Sequence, residues 1–299
     1  MLELLKNCRL CPRNCNINRL EGELGFCKAG STVKVAKVSL HLWEEPCISG
    51  TRASGTVFFS NCNLNCVFCQ NHNISQNSVG TEVSIEELSN IFLTQQKNGA
   101  HNINLVTPTH YVPQIIEAIK ISKQKGLAIP ILYNTNSYEN VATIKALEGY
   151  IDVYLADFKY YKNEYAEKYS KAKEYFYHAS NAIDTMFNQA KEVEFDSNGI
   201  IQKGLLIRHL MLPGLLFDTK KIIDHIYRKY GDDVYLSLMN QYTPMHKAYS
   251  YPEINKKLKP KHYDSIIEYC IGLGIKNAFI QDSGTASEVY VPDFDLRGF

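Results

Sequence analysis

The chain has 299 residues, 45% of them hydrophobic, with Lys+Arg 32 against Asp+Glu 31. That is enough for one large α/β domain or two ordinary ones, and the charge balance gives no electrostatic case for nucleic acid or an anionic membrane as partner. No run approaches the about 18 apolar residues of a membrane helix, and Met1-Leu2-Glu3-Leu4-Leu5-Lys6 lacks the apolar core of a signal peptide. Eight of the nine cysteines fall before residue 70. Such clustering suits metal sites in a reducing, cytoplasmic setting better than a disulfide framework spread through a fold.

In chain order, residues 1–50 read as a Cys-rich extension and residues 51–299 as the main unit. Cys8-x2-Cys11-x3-Cys15 with Cys27 supplies four soft ligands, which fit zinc or a closed iron–sulfur cluster. Four reduced thiols without metal are the plain alternative. Four thiolates complete a tetrahedral ion, so a structural site is the simpler reading. A cluster there would instead relay electrons or bind substrate. His41, Glu44 and Glu45 beside Trp43 read as a solvated loop with one anchoring aromatic, the alternative being a pocket wall. Cys47 has no evident partner.

From about residue 55, short apolar runs alternate with helical patterns. Strands are expected at Val57–Ser60, Ile103–Thr107, Ile129–Tyr133, Val153–Ala156, Gly204–Leu210, Val234–Leu238 and Ala278–Ile280. Ser84-Ile85-Glu86-Glu87 reads as a capping box that opens a helix, with Ile85, Leu88, Ile91 and Phe92 at helical spacing. Further helices follow Pro113 and cover about 139–148, 174–190, 219–230 and 262–272. Cys270, among Ile266, Ile267 and Ile271, reads as core. Strands alternating with helices predict an α/β fold, a parallel sheet covered by helices. The tyrosine-rich stretch Tyr160–Phe187 reads as packing with phenol oxygens at the surface. Ser283–Phe299 reads as a tail wrapping the barrel.

The densest signal is Cys62-Asn63-Leu64-Asn65-Cys66-Val67-Phe68-Cys69, directly after Thr56-Val57-Phe58-Phe59-Ser60. Its C-x3-C-x2-C spacing puts three thiolates on one loop. Three thiolates hold three irons of a cubane and leave the fourth open, whereas a closed cluster needs four. A zinc knuckle or a closed ferredoxin cluster would share the spacing, but each needs a fourth ligand, and the nearest downstream candidate is His72. Polar residues gather where the strands end: Thr107-Pro108-Thr109-His110, Asn134-Thr135-Asn136-Ser137, Asp157-Phe158-Lys159, Arg208-His209 and Pro244-Met245-His246. Turn chemistry accounts for many of these. It accounts less well for Lys159 and Arg208, cations placed close behind apolar strands, where β/α barrels carry their chemistry.

The cysteine motif resembles that of the radical S-adenosylmethionine (SAM) enzymes. The resemblance implies a partial (β/α)6 barrel, a [4Fe-4S] cluster on Cys62, Cys66 and Cys69, and SAM bound through its amino and carboxylate groups at the open iron. Reductive cleavage would yield methionine and a 5′-deoxyadenosyl radical, with Phe68 beside the adenine. The strand-end blocks resemble those of the glycyl-radical activating enzymes. Their Gly-Gly-Glu loop corresponds to Thr107, Pro108, Thr109 and His110, a departure that leaves backbone carbonyls or Thr109 to bind the SAM amino group. Asn134, Thr135 and Asn136 stand for Asp-Thr-Asn. Asp157 and Lys159 keep an Asp-x-Lys pair whose lysine would meet the SAM carboxylate, and Arg208 and His246 keep later positions. Cys11-Pro12-Arg13-Asn14-Cys15, Glu45-Pro46-Cys47-Ile48-Ser49-Gly50 and Arg208-His209-Leu210 are similar to a pyruvate formate-lyase activating enzyme-like branch.

The leading expectation is therefore an enzyme that takes one electron from a donor such as flavodoxin or ferredoxin and abstracts hydrogen from a protein glycine or a small molecule. A zinc hydrolase lacks an H-E-x-x-H pattern here. A non-catalytic iron–sulfur or metal-binding scaffold is the alternative from a different class.

Overall fold

The computed structural model describes residues 1–281. It begins with two short 3-10 turns, then β1 (Val33–His41), α1 (Pro46–Ser49), β2 (Ser54–Phe59), α2 (His72–Gln76), β3 (Thr81–Val83) and α3 (Ile85–Lys97). There follow β4 (Ile103–Val106), α4 (Val112–Gln124), β5 (Ile131–Thr135), α5 (Val141–Ala146), β6 (Val153–Asp157), α6 (Asn163–Ser170) and α7 (Tyr175–Gln189). The last elements are β7 (Glu194–Phe195), β8 (Ile201–Leu210), α8 (Leu216–Tyr230), β9 (Tyr235–Met239), α9 (Pro260–Leu273) and β10 (Ala278–Ile280).

Strands β2, β4, β5, β6, β8, β9 and β10 pair in parallel, in that order. Helices α3, α4, α5, α7, α8 and α9 make the crossovers between them. The result is an α/β fold whose mostly parallel sheet opens at one side as a partial barrel. β1 and β3 extend the β2 edge antiparallel, giving the order β10-β9-β8-β6-β5-β4-β2-β1-β3. β1 lies within residues 1–50, so part of that Cys-rich stretch is a strand of the main sheet. Val33, Val35 and Val38 of β1 are buried with Val57 and Phe59 of β2.

The β5 strand starts two residues later than its apolar run suggests. Pro130 has no N–H for the ladder, so pairing begins at Ile131, whose N–H is taken by the Asp152 carboxylate at 2.8 Å. The shift carries Asn134 and Thr135 into the strand. Helices α3 and α4 close one face: Leu88, Ile91 and Phe92 with Ile115 and Ile119 pack on Ile103 and Leu105. α7 and α8 close another, with Ala179, Ile183, Ile222 and Ile226 over Leu205 and Ile207. Each fully buried large aliphatic side chain contributes about 1.5–3 kcal/mol. Cys270 is buried in α9. Residues 283–299, expected as a wrapping tail, lie outside the described residues. Among the described residues no helix is long and apolar enough to cross a membrane.

The capping box forms as written in the sequence. Ser84 Oγ accepts the Glu87 N–H at 3.1 Å, and the Glu87 carboxylate accepts the Ser84 N–H at 2.7 Å. Ser84→Ala should therefore destabilise the fold by about 1 kcal/mol, read as a lower unfolding midpoint, whereas Ser84→Asp should retain the wild-type midpoint.

Candidate functional site

The loop after β2 brings Cys62, Cys66 and Cys69 to the C-terminal ends of the parallel strands. Its backbone is tied down on both flanks: Val67 donates to the Tyr169 carbonyl at 2.8 Å, Asn65 to Ser170 at 3.2 Å, and Lys247 donates to the Val67 carbonyl at 2.8 Å. The sulfurs have polar neighbours. Leu64 N–H and Asn136 Nδ2 approach Cys62 Sγ at 3.4 and 3.5 Å. Ser170 Oγ lies 3.0 Å from Cys66 Sγ, and Ser75 Oγ 3.3 Å from Cys69 Sγ. Burial pushes all three thiols up, Cys69 to about 11, and their mutual proximity adds to this for Cys62 and Cys69. Such thiols lose their protons to a metal rather than to water.

All three cysteines line one cavity of about 120 Å³, together with Thr107, Asn134, Thr135, Asn136, Asp157 and Lys159. It adjoins a wider one of about 430 Å³, which shares Cys66, Cys69, Thr107, Asn134, Asp157 and Lys159 and is also lined by Phe68, Arg208, Tyr242 and Gln241. Three thiolates on the inner space, with a roomier space beside them, fit a cluster held by three ligands with a small molecule next to it. Phe68 stands edge-on to Tyr242, with ring centroids 5.8 Å apart.

Charge at this junction is balanced and locked. Lys159 Nζ donates to Asp157 Oδ2 at 2.7 Å, and Arg208 Nε to Asp157 Oδ1 at 2.9 Å. Arg208 also reaches Glu44 at 3.1 Å and Asn134 at 2.6 Å. Burial by itself would raise the Asp157 carboxyl, but Lys159 and Arg208 hold it below the usual range. Burial opposes the charge on Lys159 too, and Asp157 with Cys66 outweighs it.

Most, though not all, of the expected site residues meet. Of the Thr107–His110 stretch only Thr107 lines the cavity. Pro108 turns the chain into a 3-10 turn that carries Thr109 and His110 into the core. Thr109 Oγ1 donates to Glu139 at 2.6 Å, and His110 Nε2 bonds the Ser60 carbonyl at 2.7 Å, so neither side chain faces the cavity. Thr107 itself has φ +58, a conformation costly for a β-branched residue and free for glycine. His246 stacks on His72 at 4.4 Å and bonds Gln76, whose Nε2 donates to the Cys66 carbonyl at 3.1 Å. It braces the cysteine loop from outside the cavities.

The 41–45 segment departs from its expected role as a solvated loop. His41, Trp43 and Glu44 line the wide cavity, and Glu44 is fixed by Arg208 and by Asn104 at 2.9 Å. Trp43 is 65% exposed at the rim of that cavity. The tyrosine-rich stretch departs from expectation in part: Tyr160 and Tyr175 turn their phenols inward, whereas Tyr177 is exposed. Tyr160 OH meets Ser170 Oγ at 2.7 Å, and Tyr175 OH accepts the Lys159 N–H at 2.9 Å and lies 2.9 Å from the Asn136 and Asp157 carbonyls. Ser75 and Ser170 carried no sequence signal, because nothing near them in the chain marks the sulfurs they approach.

Glu139, behind this wall, accepts from Thr109, Tyr133 and Thr135. Burial pushes its carboxyl up to about 7 despite those three bonds. The native state thus holds the proton more tightly than the unfolded chain, so this group's contribution is fullest below the ordinary carboxylate value and falls as pH rises through about 7. Glu139→Gln should gain stability relative to wild type from about pH 5 to about pH 8, approaching about 3 kcal/mol. Paired thermal melts across that range check this; a constant difference would contradict it.

The model of the Radical SAM superfamily matches residues 56–226, which spans every residue of the two cavities from Phe58 to Arg208. An uncharacterized protein of Methanocaldococcus jannaschii, MJ0674, is 33% identical over 275 residues, covering 89% of this chain and 74% of its own. Among solved structures, the FeFe-hydrogenase maturase HydG from Carboxydothermus hydrogenoformans aligns with TM-score 0.54 at 15% identity, over 80% of this chain and 59% of that one. Streptococcus suis SuiB bound to S-adenosylmethionine aligns with TM-score 0.50 at 14% identity, over 77% and 52%. The chain thus spans little more than half the length of those two structures, and at such identity the likeness is one of fold.

Proposed function

This chain belongs to the radical SAM superfamily, and from that premise we propose that it cleaves SAM reductively and abstracts a hydrogen atom from a substrate admitted through the wide cavity. The observation that carries the reading is the convergence of Cys62, Cys66 and Cys69 with the Asp157–Lys159 pair on one cavity wall. A [4Fe-4S] cluster with an open iron, together with SAM, supplies a 5′-deoxyadenosyl radical when one electron is delivered.

The chain's own residues do the rest. The three thiolates hold the cluster, and Ser170, Ser75, Asn136 and the Leu64 N–H supply polar contacts to their sulfurs. Lys159 presents its remaining N–H groups to the SAM carboxylate while Asp157 fixes the ammonium in place. With Thr109 bonded to Glu139, the backbone at Thr107 would be left to meet the SAM amino group. Phe68 and Tyr242, both lining the wide cavity, would flank the adenine. Apolar Phe58, Val106, Leu210 and Met239 in the cavity wall limit water around the radical. Arg208, Glu44 and Gln241 also line the wide cavity, where they would orient the hydrogen donor. That donor is a protein glycine, as in glycyl-radical activation, or a small molecule, and the electron comes from a carrier such as flavodoxin or ferredoxin.

Reduced, reconstituted protein should form 5′-deoxyadenosine from SAM, and Cys66→Ala should abolish this with the barrel still folded by circular dichroism. Unchanged product from Cys66→Ala would refute the cluster assignment. Lys159→Ala removes a charge-assisted contact of about 1.5–3 kcal/mol, so SAM affinity should fall about tenfold or more while iron content stays unchanged. Equal affinity would remove Lys159 from the SAM site. Deuterium transferred into 5′-deoxyadenosine from labelled glycine residues, or from a labelled small-molecule fraction, tells the two donor classes apart.

A further inference from the structure

The N-terminal cysteines lie outside the cavities just described. Cys8, Cys11, Cys15 and Cys27 line one small cavity, walled also by Arg13, Arg19, Gly25 and His110. It measures about 10 Å³, room for one water-sized sphere. A zinc ion would draw four thiolate sulfurs to about 2.3 Å from a common centre, and sulfurs packed that closely leave no such space. Among the described residues no three His, Cys, Asp or Glu side chains converge as the ligands of a single ion.

The wall is shaped and polarised for an occupant. A Cβ on Gly25 would stand 2.7 Å from Cys15 Sγ, so only glycine fits there without moving the sulfur. Two buried polar atoms of the wall residues, Arg13 Nη2 and His110 Nδ1, have no partner within the protein. Arg19 is buried beside them, donating to the carbonyls of His110, at 2.6 Å, and Gly30.

The quartet is also joined to the first site. Arg13, between Cys11 and Cys15, donates its Nε to the Asn63 carbonyl at 3.0 Å, and Asn63 directly follows Cys62. Asn140 and Thr143, at the start of α5, bond the Arg9 and Leu10 carbonyls at 2.7 Å each. The cysteine knuckle is thereby held against the outer side of the loops that carry Cys62 and Asn136.

We propose that Cys8, Cys11, Cys15 and Cys27 hold a second [4Fe-4S] cluster, closed by four thiolates, which passes electrons to the SAM-binding cluster across the Arg13–Asn63 contact. The role of the second cluster rests on the SAM-cleavage reading; its presence does not. One electron from a reduced one-electron carrier protein reduces the closed cluster, and the same electron then leaves it to reduce the SAM-binding cluster. No proton or bond is exchanged in the transfer.

The site is tested in a protein that lacks the first cluster, so that failure of SAM cleavage has no bearing on it. The Cys62→Ala/Cys66→Ala/Cys69→Ala variant, reconstituted anaerobically with iron and sulfide, should retain about four irons and four sulfides per chain. It should also show cluster absorbance and a paramagnetic signal on reduction. About one zinc per chain, or no metal with all four thiols alkylated in the folded protein, would overturn the cluster. If the triple variant does not fold, Cys8→Ser/Cys15→Ser in the otherwise intact chain serves instead. Its iron content should be half that of wild type, and undiminished iron would overturn the site. The relay is tested in wild type by rapid-freeze paramagnetic resonance after mixing with a reduced carrier. The closed cluster's signal should rise before the one that SAM perturbs, and the reverse order would overturn the relay.

Discussion

Two buried cations share one carboxylate at the centre of this protein, and the loops around both cavities are arranged on that contact. Asp157 ends β6, Lys159 follows it, and Arg208 arrives from the neighbouring strand β8, directly opposite Asp157 in the parallel register. Breaking such a buried pair leaves an uncompensated charge, at a cost of about 3–5 kcal/mol. The balance is completed from the far end of the chain by Glu44, which turns the connector after β1 into cavity wall. Asn134 from β5 takes the last arm of Arg208. Four strand-end loops are thereby fixed relative to one another by charge and hydrogen bonding before any cofactor arrives, which is the preorganisation an electrostatic site needs.

A second constraint is conformational. Asn61, Thr107 and Ser137, just beyond β2, β4 and β5, all have positive φ without being glycine. Residues held in such sparsely populated regions cost about 1–3 kcal/mol each and persist where surrounding contacts fix them. Here those contacts are visible. Asn61 N–H is bonded to the Ile74 carbonyl, Thr107 N–H to Asn134 and Ser137 N–H to Thr135 Oγ1. The sharp turns direct the cysteine loop, the Thr107 backbone and Asn136 toward the same space.

The cluster motif, the capping box and the strand–helix alternation were legible because each is local. Thiolate spacing, a Ser–Glu pair three apart and the periods of strand and helix need no distant partner. Lys159 and Arg208 were legible for a related reason, since a cation immediately behind an apolar strand has one place to go in a parallel sheet. β1 is less legible, although Val33, Val35 and Val38 are buried in it, because an irregularity between Val35 and Lys37 breaks the apolar–polar alternation that marks a strand.

What the sequence by itself determined was the chemistry: three thiolates on one loop, the cations behind β6 and β8, and the α/β alternation that sets them at one end of a sheet. The tertiary structure decided which polar residues face that chemistry. It turned Thr109 and His110 into the core to bond Glu139 and Ser60, brought Glu44 to Arg208, aimed the Tyr160 and Tyr175 phenols inward and set Arg13 against Asn63. Those outcomes depend on contacts between residues far apart in the chain, 164 positions in the case of Glu44 and Arg208. Burial of a polar atom demands a partner that only the folded neighbourhood supplies, and no local pattern of residues encodes which partner that will be.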